Sequence, residues 1–340
     1  MQRRAVETID IHFHAVPSLF VSILRKGEFA EAVEIQNADG VDRLIFHAPP
    51  GVAIEPSTTL RPRAYDEALL LAALDHRKLD AAAVSAPPEL FMYWAAPETG
   101  ERLSRAMNDG YAQMMRQHPR RFLPLATLPL QDAERAAREL ERAVTQLGLR
   151  GASICTHVNG KDLDHPDIAP VFAMAEKLDV PIFLHPQNAG DISRIKDYHL
   201  WNLAGFPMET AIAASRLILS GTFERYPGLK IVLAHGGGFF PYQIGRLDHG
   251  FEVRKEINGH LPKPPSAYLK NIYCDSLTHS DKSQHFLIDR IGFDHVVLGT
   301  DHPFDMQTER PVDEIAALQL PVEQQKAILG GTLKKLLKVK

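Results

Sequence analysis

The sequence predicts an α/β protein in which parallel strands alternate with helices, with a (β/α)8 barrel as the leading architecture. Three observations predict it. Short apolar runs rich in β-branched residues recur along the chain and are separated by longer stretches of helical period. Several of the runs are apolar without interruption, as expected of parallel strands buried on both faces. Helix-capping and turn residues stand at the boundaries between the two kinds of segment. An open doubly wound sheet is compatible with the same alternation.

Taken in order, the expected strands are Thr8–Phe13, Ala81–Ser85, Phe122–Thr127, Gly151–Cys155, Pro181–Leu184, Lys230–Leu233, Asn271–Cys274 and Val296–Gly299. The expected helices are Arg63–Arg77, Gly100–His118, Asp132–Gln146, Ile168–Lys177, Glu209–Ser220, Tyr242–Glu256 and Ser283–Ile291, followed by Val312–Leu318 and Val322–Leu337. Asp132 is placed to cap its helix and Gly148 to end it, and Tyr226-Pro227-Gly228 forms the turn before the sixth strand. The segment from about Ala15 to Leu60 breaks the alternation. It is rich in Pro, Gly and polar turns, with a strand-like patch at Arg43-Leu44-Ile45-Phe46. Because it follows the first strand, it is expected to lie over the catalytic face as an insertion or lid. Residues 1–340 are read as one domain, since barrels of about 250 residues or more commonly form one unit.

Composition narrows the function classes. The 340 residues are 45% hydrophobic and 24% charged, with a formal net charge of −4. Lys and Arg are scattered, so no nucleic-acid-binding face is expected. No apolar run approaches the ~18 residues of a membrane span, and the first residues lack the apolar stretch of a signal peptide. Cys155 and Cys274 lie in apolar strand-like runs, which suits buried free thiols and a cytoplasmic protein.

The chemistry stands at the strand ends, where barrel active sites are built. The first strand ends in Asp10-Ile11-His12-Phe13-His14, and alternation puts His12 and His14 on one side with Phe13 opposite. The fifth ends in Leu184-His185-Pro186, the sixth in Ala234-His235-Gly236-Gly237-Gly238, and the eighth in Gly299-Thr300-Asp301-His302-Pro303. Four strands thus present His or Asp at the same end. His12, His14, His185 and Asp301 form a set suited to one divalent ion: Zn²⁺ first, with Mn²⁺ or Fe²⁺ also accepted. His235 is the natural general acid/base, because the unperturbed imidazole pKa of about 6.5 lies near working pH; it could instead be a fifth ligand. No Gly-rich phosphate motif is present, so no organic cofactor is expected.

These motifs, together with Met107-Asn108-Asp109, Leu128-Pro129-Leu130-Gln131-Asp132, Leu217-Ile218-Leu219-Ser220-Gly221 and Pro264-Pro265-Ser266, resemble the amidohydrolase superfamily over nearly the whole chain. The resemblance is to its decarboxylase branch, typified by aminocarboxymuconate-semialdehyde decarboxylase. It implies a distorted barrel and one metal on His12, His14, His185 and Asp301, with His235 activating or orienting a water there. It also implies a homodimer in which an arginine of one subunit, matching Arg246, reaches the other's substrate carboxylate. A lid arginine at Arg61 or Arg63 would bind the carboxylate from within the chain. His302 stands where the family often has an aromatic residue and is a candidate pocket residue. The fourth strand ends in Ile154-Cys155-Thr156-His157, with no lysine to bridge a second metal as in urease-type hydrolases. After the fifth strand, Gln187-Asn188-Ala189-Gly190-Asp191 departs from the family's aromatic set, so substrate contacts are expected to differ.

The leading expectation is non-oxidative decarboxylation of a small unsaturated or aromatic carboxylic acid, with Asp301 as an alternative proton carrier to His235. The same site could serve a lactonase, an amidase or a hydratase. A binding protein on a decayed scaffold is the reading from another class, and the intact ligand set argues against it. Phe91, Tyr93 and Trp94 could cover a planar substrate, though ordinary packing is the simpler expectation.

Overall fold

The computed structural model describes residues 7–52, 54–187, 193–259 and 261–339. Eight parallel strands form the barrel: Ile9–His14, Ala81–Ser85, Ala126–Thr127, Ala152–Ile154, Pro181–Leu184, Lys230–Leu233, Ile272–Asp275 and Val296–Val297. The third to eighth form one continuous sheet in chain order, and the first pairs with the second.

Two seams close the cylinder. Between the second and third strands, Leu123 N–H donates to the Ala82 carbonyl and Leu125 N–H to that of Val84, both at 2.8 Å. Between the first and eighth, Ile11 N–H donates to Leu298 O (2.9 Å), Asp301 N–H to His12 O (2.7 Å) and His14 N–H to His302 O (2.7 Å). These bonds exclude the open doubly wound sheet. They also show that the third strand pairs from Phe122 onward, as its apolar pattern indicates.

Ile9, Ala81, Leu123, Phe183, Val232 and Val297, one from each of six strands, pack into one buried cluster. Leu333 and Leu336 of the last helix join it, closing the face where the strands begin. A register shift between Asp10 and Phe13 turns the end of the first strand so that His12 meets the interior, its ring 5.1 Å from that of Phe183. The outer layer consists of helices docked by apolar faces. In Ala133–Thr145, Ala136, Leu140 and Ala143 are buried at helical spacing, and the Asp132 carboxylate caps the helix by accepting from Arg135 N–H at 3.1 Å. The stretch expected as one helix over Val322–Leu337 is three segments: Val322–Lys326, a wider turn at Ala327–Gly331, and Thr332–Leu336.

The insertion is more regular than its composition suggests. It begins with a helix, Ser18–Arg25, whose Phe20, Val21 and Leu24 are buried. A three-stranded antiparallel sheet follows: Val33–Ala38, Val41–Phe46 and Ser57–Thr59. Asp39 and Gly40, both with positive φ (52° and 78°), make its two-residue hairpin turn. The return segment is tied to the barrel by Val16 N–H, which donates to Ala64 O at 2.7 Å. Among the described residues no helix is long and apolar enough to cross a membrane.

Candidate metal centre and its surroundings

The strand alternation that separates His12 and His14 from Phe13 aims both imidazoles at one point, and the fifth and eighth strands bring His185 and Asp301 to it. One ligand atom from each of these four residues lies within 4.8 Å of the others, and all four side chains are buried. His12 Nε2, His14 Nε2, His185 Nε2 and Asp301 Oδ1 have no hydrogen-bond partner among the described residues. Buried polar atoms left unpaired are costly, so four of them facing one another mark a place built for a cation. Three imidazole nitrogens and one carboxylate oxygen are a donor set that fits a first-row divalent ion.

Each imidazole is held from behind through its other nitrogen. His12 Nδ1 contacts Asp275 Oδ2 at 2.7 Å, His14 Nδ1 the Ala86 carbonyl at 3.1 Å, and His185 Nδ1 the Pro186 carbonyl at 2.7 Å. With Nδ1 donating, the Nε2 lone pair is left free for the ion. Asp275 does more than this. Its Oδ2 also accepts from His235 N–H (2.9 Å), and its Oδ1 accepts from Gly236 N–H (2.7 Å) and Leu277 N–H (3.1 Å). One carboxylate therefore fixes a metal-facing imidazole and the loop that carries His235. Asp10 plays a similar part below, accepting from His12 N–H at 2.8 Å and from Thr300 Oγ1–H at 2.5 Å.

Electrostatics divide the histidines. Burial holds His14 and His185 below the usual imidazole pKa, and the neighbouring histidines add to this at His185. Burial also works against charge on His12, but Asp301 and Asp275 on either side outweigh it and raise its pKa to about 10. Burial alone would raise Asp301; the positive charge of His12, whose Nε2 lies 3.1 Å from Asp301 Oδ1, instead keeps its carboxyl well below the carboxylate range.

His235 stands beside the cluster, outside the set of four converging ligands. Its ring centroid is 5.0 Å from those of His12 and His185, and its Nε2 is 3.7 Å from Asp301 Oδ2. Both His235 and Asp301 have left-handed backbones, with φ of 56° and 65°, a conformation that a non-glycine residue holds only when its surroundings impose it. The glycines after His235 allow the turn. At Gly238 (φ 58°) a Cβ would lie 2.2 Å from the Pro207 carbonyl oxygen.

One cavity adjoins the cluster, and a second lies under the insertion. The first, of about 620 Å³, is lined by His235, Asp301, Phe206, Tyr242, Lys282 and Phe286. The other, about 290 Å³, lies between the insertion and the barrel and is lined by Arg61, Arg63, Glu89, Leu44 and Phe304. Arg61 and Arg63 thus share one cavity and are exposed at its edge. Arg246 is exposed on the outer helix Phe240–Val253 and lines neither cavity. His302 lines neither as well. It is buried, stacked on Phe13 at 4.3 Å, and its Nε2 meets the Arg63 carbonyl at 3.1 Å, so it ties the insertion to the eighth strand. Phe91 and Tyr93 are buried and stacked on each other, and the Tyr93 hydroxyl accepts from Cys155 N–H, which is packing rather than a substrate cover. Positions 188–191 of the stretch after the fifth strand lie outside the described residues.

Sequence reasoning did not single out Asp275, Asp10 or Glu89. The signal for the first was available: Asp275 directly follows the apolar run of the seventh strand, the same position that drew notice to His185 and His235.

Comparison with known proteins agrees with this geometry. The amidohydrolase family pattern matches residues 9–339. A 2-amino-3-carboxymuconate-6-semialdehyde decarboxylase from Dictyostelium discoideum is 37% identical over 331 residues, covering 95% of this chain and 89% of its own. A gamma-resorcylate decarboxylase from Rhizobium radiobacter is 37% identical over 60% of this chain and 66% of its own. Among solved structures, 5-carboxyvanillate decarboxylase from Sphingomonas paucimobilis superposes with a TM-score of 0.80 at 27% identity, covering 99% of this chain and 100% of that one. A dihydroxybenzoic acid decarboxylase from Polaromonas, with bound manganese and the inhibitor 2-nitroresorcinol, gives 0.79 at 25% identity and covers 98% of each chain.

Proposed function

The chain belongs to the amidohydrolase family and is a carboxy-lyase, and we propose that it removes CO₂ without oxidation from a small aromatic or unsaturated carboxylic acid. The observation that carries this reading is the convergence of His12, His14, His185 and Asp301 on one buried point beside His235. The near full-length likeness to metal-dependent decarboxylases supports the same reaction.

His12, His14, His185 and Asp301 would hold a divalent ion, which would supply Lewis-acid polarisation of a substrate oxygen during loss of CO₂. Zn²⁺ is the ion we assign, with Mn²⁺ the alternative, because an N₃O set accepts both. Arg61 and Arg63 hold a substrate carboxylate by charge-assisted hydrogen bonds. His235 delivers a proton from Nε2 to the carbon that loses CO₂, and Asp301 is the alternative carrier. The Phe206 ring, stacked 6.5 Å from that of His235, keeps bulk water from that side.

We further propose a homodimer. Phe239, Tyr242, Leu203, Met208 and Phe286 are exposed on neighbouring elements, Tyr242 by 72%. Arg246 lies one helical turn beyond Tyr242, so a second copy covering these residues would receive its guanidinium. A cytoplasmic location suits the buried, unpaired Cys155 and Cys274.

The reaction is tested by incubating metal-loaded protein with hydroxybenzoates, muconates and lactones while recording CO₂. Release of CO₂ from at least one acid, abolished by chelation and restored by Zn²⁺ or Mn²⁺, is expected. Lactone opening with no CO₂ from any acid refutes the assignment.

A further inference from the structure

The cavity under the insertion holds an acid that the mechanism above does not use. Glu89 follows the second strand, three residues beyond Ala86, whose carbonyl fixes His14 Nδ1. It is therefore mounted on the same short segment that orients a metal-facing imidazole. Phe304 lines the same cavity and stands edge-on to His14 at 5.3 Å, so one ring separates the cavity from the cluster. Arg61 and Arg63 line the same space.

An acid and two arginines in one small cavity would ordinarily pair, and here they do not. Among the described residues, no side-chain hydrogen bond or ion pair joins Glu89 to Arg61, Arg63 or any other side chain. Glu89 is only partly exposed. Burial pushes its carboxyl pKa up, and the Asp301 charge adds to that. Its carboxyl is bonded only by its own backbone N–H, which leaves acceptor capacity facing the cavity. Ionised or protonated, it offers at least one acceptor oxygen. The two guanidiniums oppose a cationic ligand in the same space, so the complementary molecule carries a carboxylate for the arginines and a hydroxyl or amino donor for Glu89. Leu44 and Phe304 supply apolar walls for a flat ring, and about 290 Å³ is near the lower end for small-molecule pockets.

We propose that Glu89 is a specificity-determining residue that accepts a hydrogen bond from a hydroxyl or amino group of the substrate, so that the enzyme selects hydroxylated or aminated acids over analogues without that donor. The inference rests on the decarboxylase reading for the carboxylic-acid class of the substrate. A site built around such a donor leaves its own polar group unpaired when the donor is missing, which is what makes discrimination of this kind strong.

The test is calorimetric binding to Zn²⁺-loaded protein of 2-, 3- and 4-hydroxybenzoate and of the three matching methoxybenzoates. Wild type, Glu89→Ala and Glu89→Gln are compared, with CO₂ release followed in parallel. Wild type is expected to prefer the hydroxyl over the methoxy compound at least about tenfold in one or more pairs. Glu89→Ala should bring that ratio to within twofold, and Glu89→Gln, which keeps an acceptor oxygen, should retain most of it. Metal content and melting temperature of Glu89→Gln report whether the fold is intact. Equal ratios in wild type and Glu89→Ala for every pair overturn the proposal, as does a wild-type ratio near one throughout. Binding selectivity that depends on Glu89 without CO₂ from any acid counts instead against the decarboxylase reading alone.

Discussion

The floor and the rim of the catalytic face are built on different principles. On the floor, His12, His14, His185 and Asp301 are buried, and each histidine is held by a second bond through Nδ1. On the rim, Arg61, Arg63 and Arg246 are exposed, and none makes a side-chain hydrogen bond or ion pair among the described residues. The floor is pre-organised by bonds within the protein itself. Under the proposed function the rim arginines take their partners from the substrate. Rigid parts lower a barrier by being in place beforehand, whereas loose, charged parts choose what enters.

The sharpest way to break this contrast is on the floor. His12→Ala should abolish stoichiometric metal and lower decarboxylation by about a thousandfold or more, since the ion contributes several kcal/mol of charge stabilisation. Metal analysis and CO₂ release check it, and equal metal in both proteins would refute the site. Next, Asp275→Asn should weaken metal binding about 10- to 100-fold while the protein still folds. Competition with a chromogenic chelator measures this, and unchanged affinity would mean that the carboxylate supports only the loop. A third effect is protonic. With its pKa raised to about 10, His12 carries a proton at neutral pH in the metal-free protein, while the lowered His14 and His185 do not. Metal binding must expel that proton, so affinity rises with pH up to about 10, and roughly one proton leaves per ion at pH 7.5. Calorimetry in buffers of different ionisation enthalpy counts it. On the rim the effects should be smaller and of another kind. Arg61→Ala and Arg63→Ala should raise KM about tenfold with kcat changed little, as loss of uniform binding does. Mixing Arg246→Ala with His235→Ala protein should restore part of the activity if a guanidinium crosses between subunits.

How much of this could be read from the sequence follows the same division. Strands buried on both faces leave a plain pattern, so the barrel order and the ends of the first, fifth, sixth and eighth strands are legible in the sequence. The convergence of His12, His14, His185 and Asp301 follows from strand-end placement. Asp275 stands at a strand end like His185 and His235, but its role rests on bonds to backbone N–H groups that a sequence does not display. The insertion was read as a lid of turns because its strands face solvent on one side and carry polar residues there. Asp39-Gly40 was the hairpin signal within it. His302 drew attention by standing beside Asp301, yet its ring turns outward onto Phe13, which neighbouring position along a strand end cannot reveal. The rim arginines sit on exposed turns and an outer helix, where no periodicity constrains a side chain.

The seam between the first and eighth strands has a consequence for how the protein comes into being. His12 and His14 are synthesised well before Asp301, and the strands that carry them meet through bonds that include Asp301 N–H to His12 O, His14 N–H to His302 O and Ile11 N–H to Leu298 O. Contacts so distant along the chain are among the last to form. A nascent chain on the ribosome therefore has no complete ion site until its eighth strand has emerged. An ion that then settles across the seam acts as a clasp, and it stabilises the finished barrel in proportion to how far its concentration exceeds the dissociation constant.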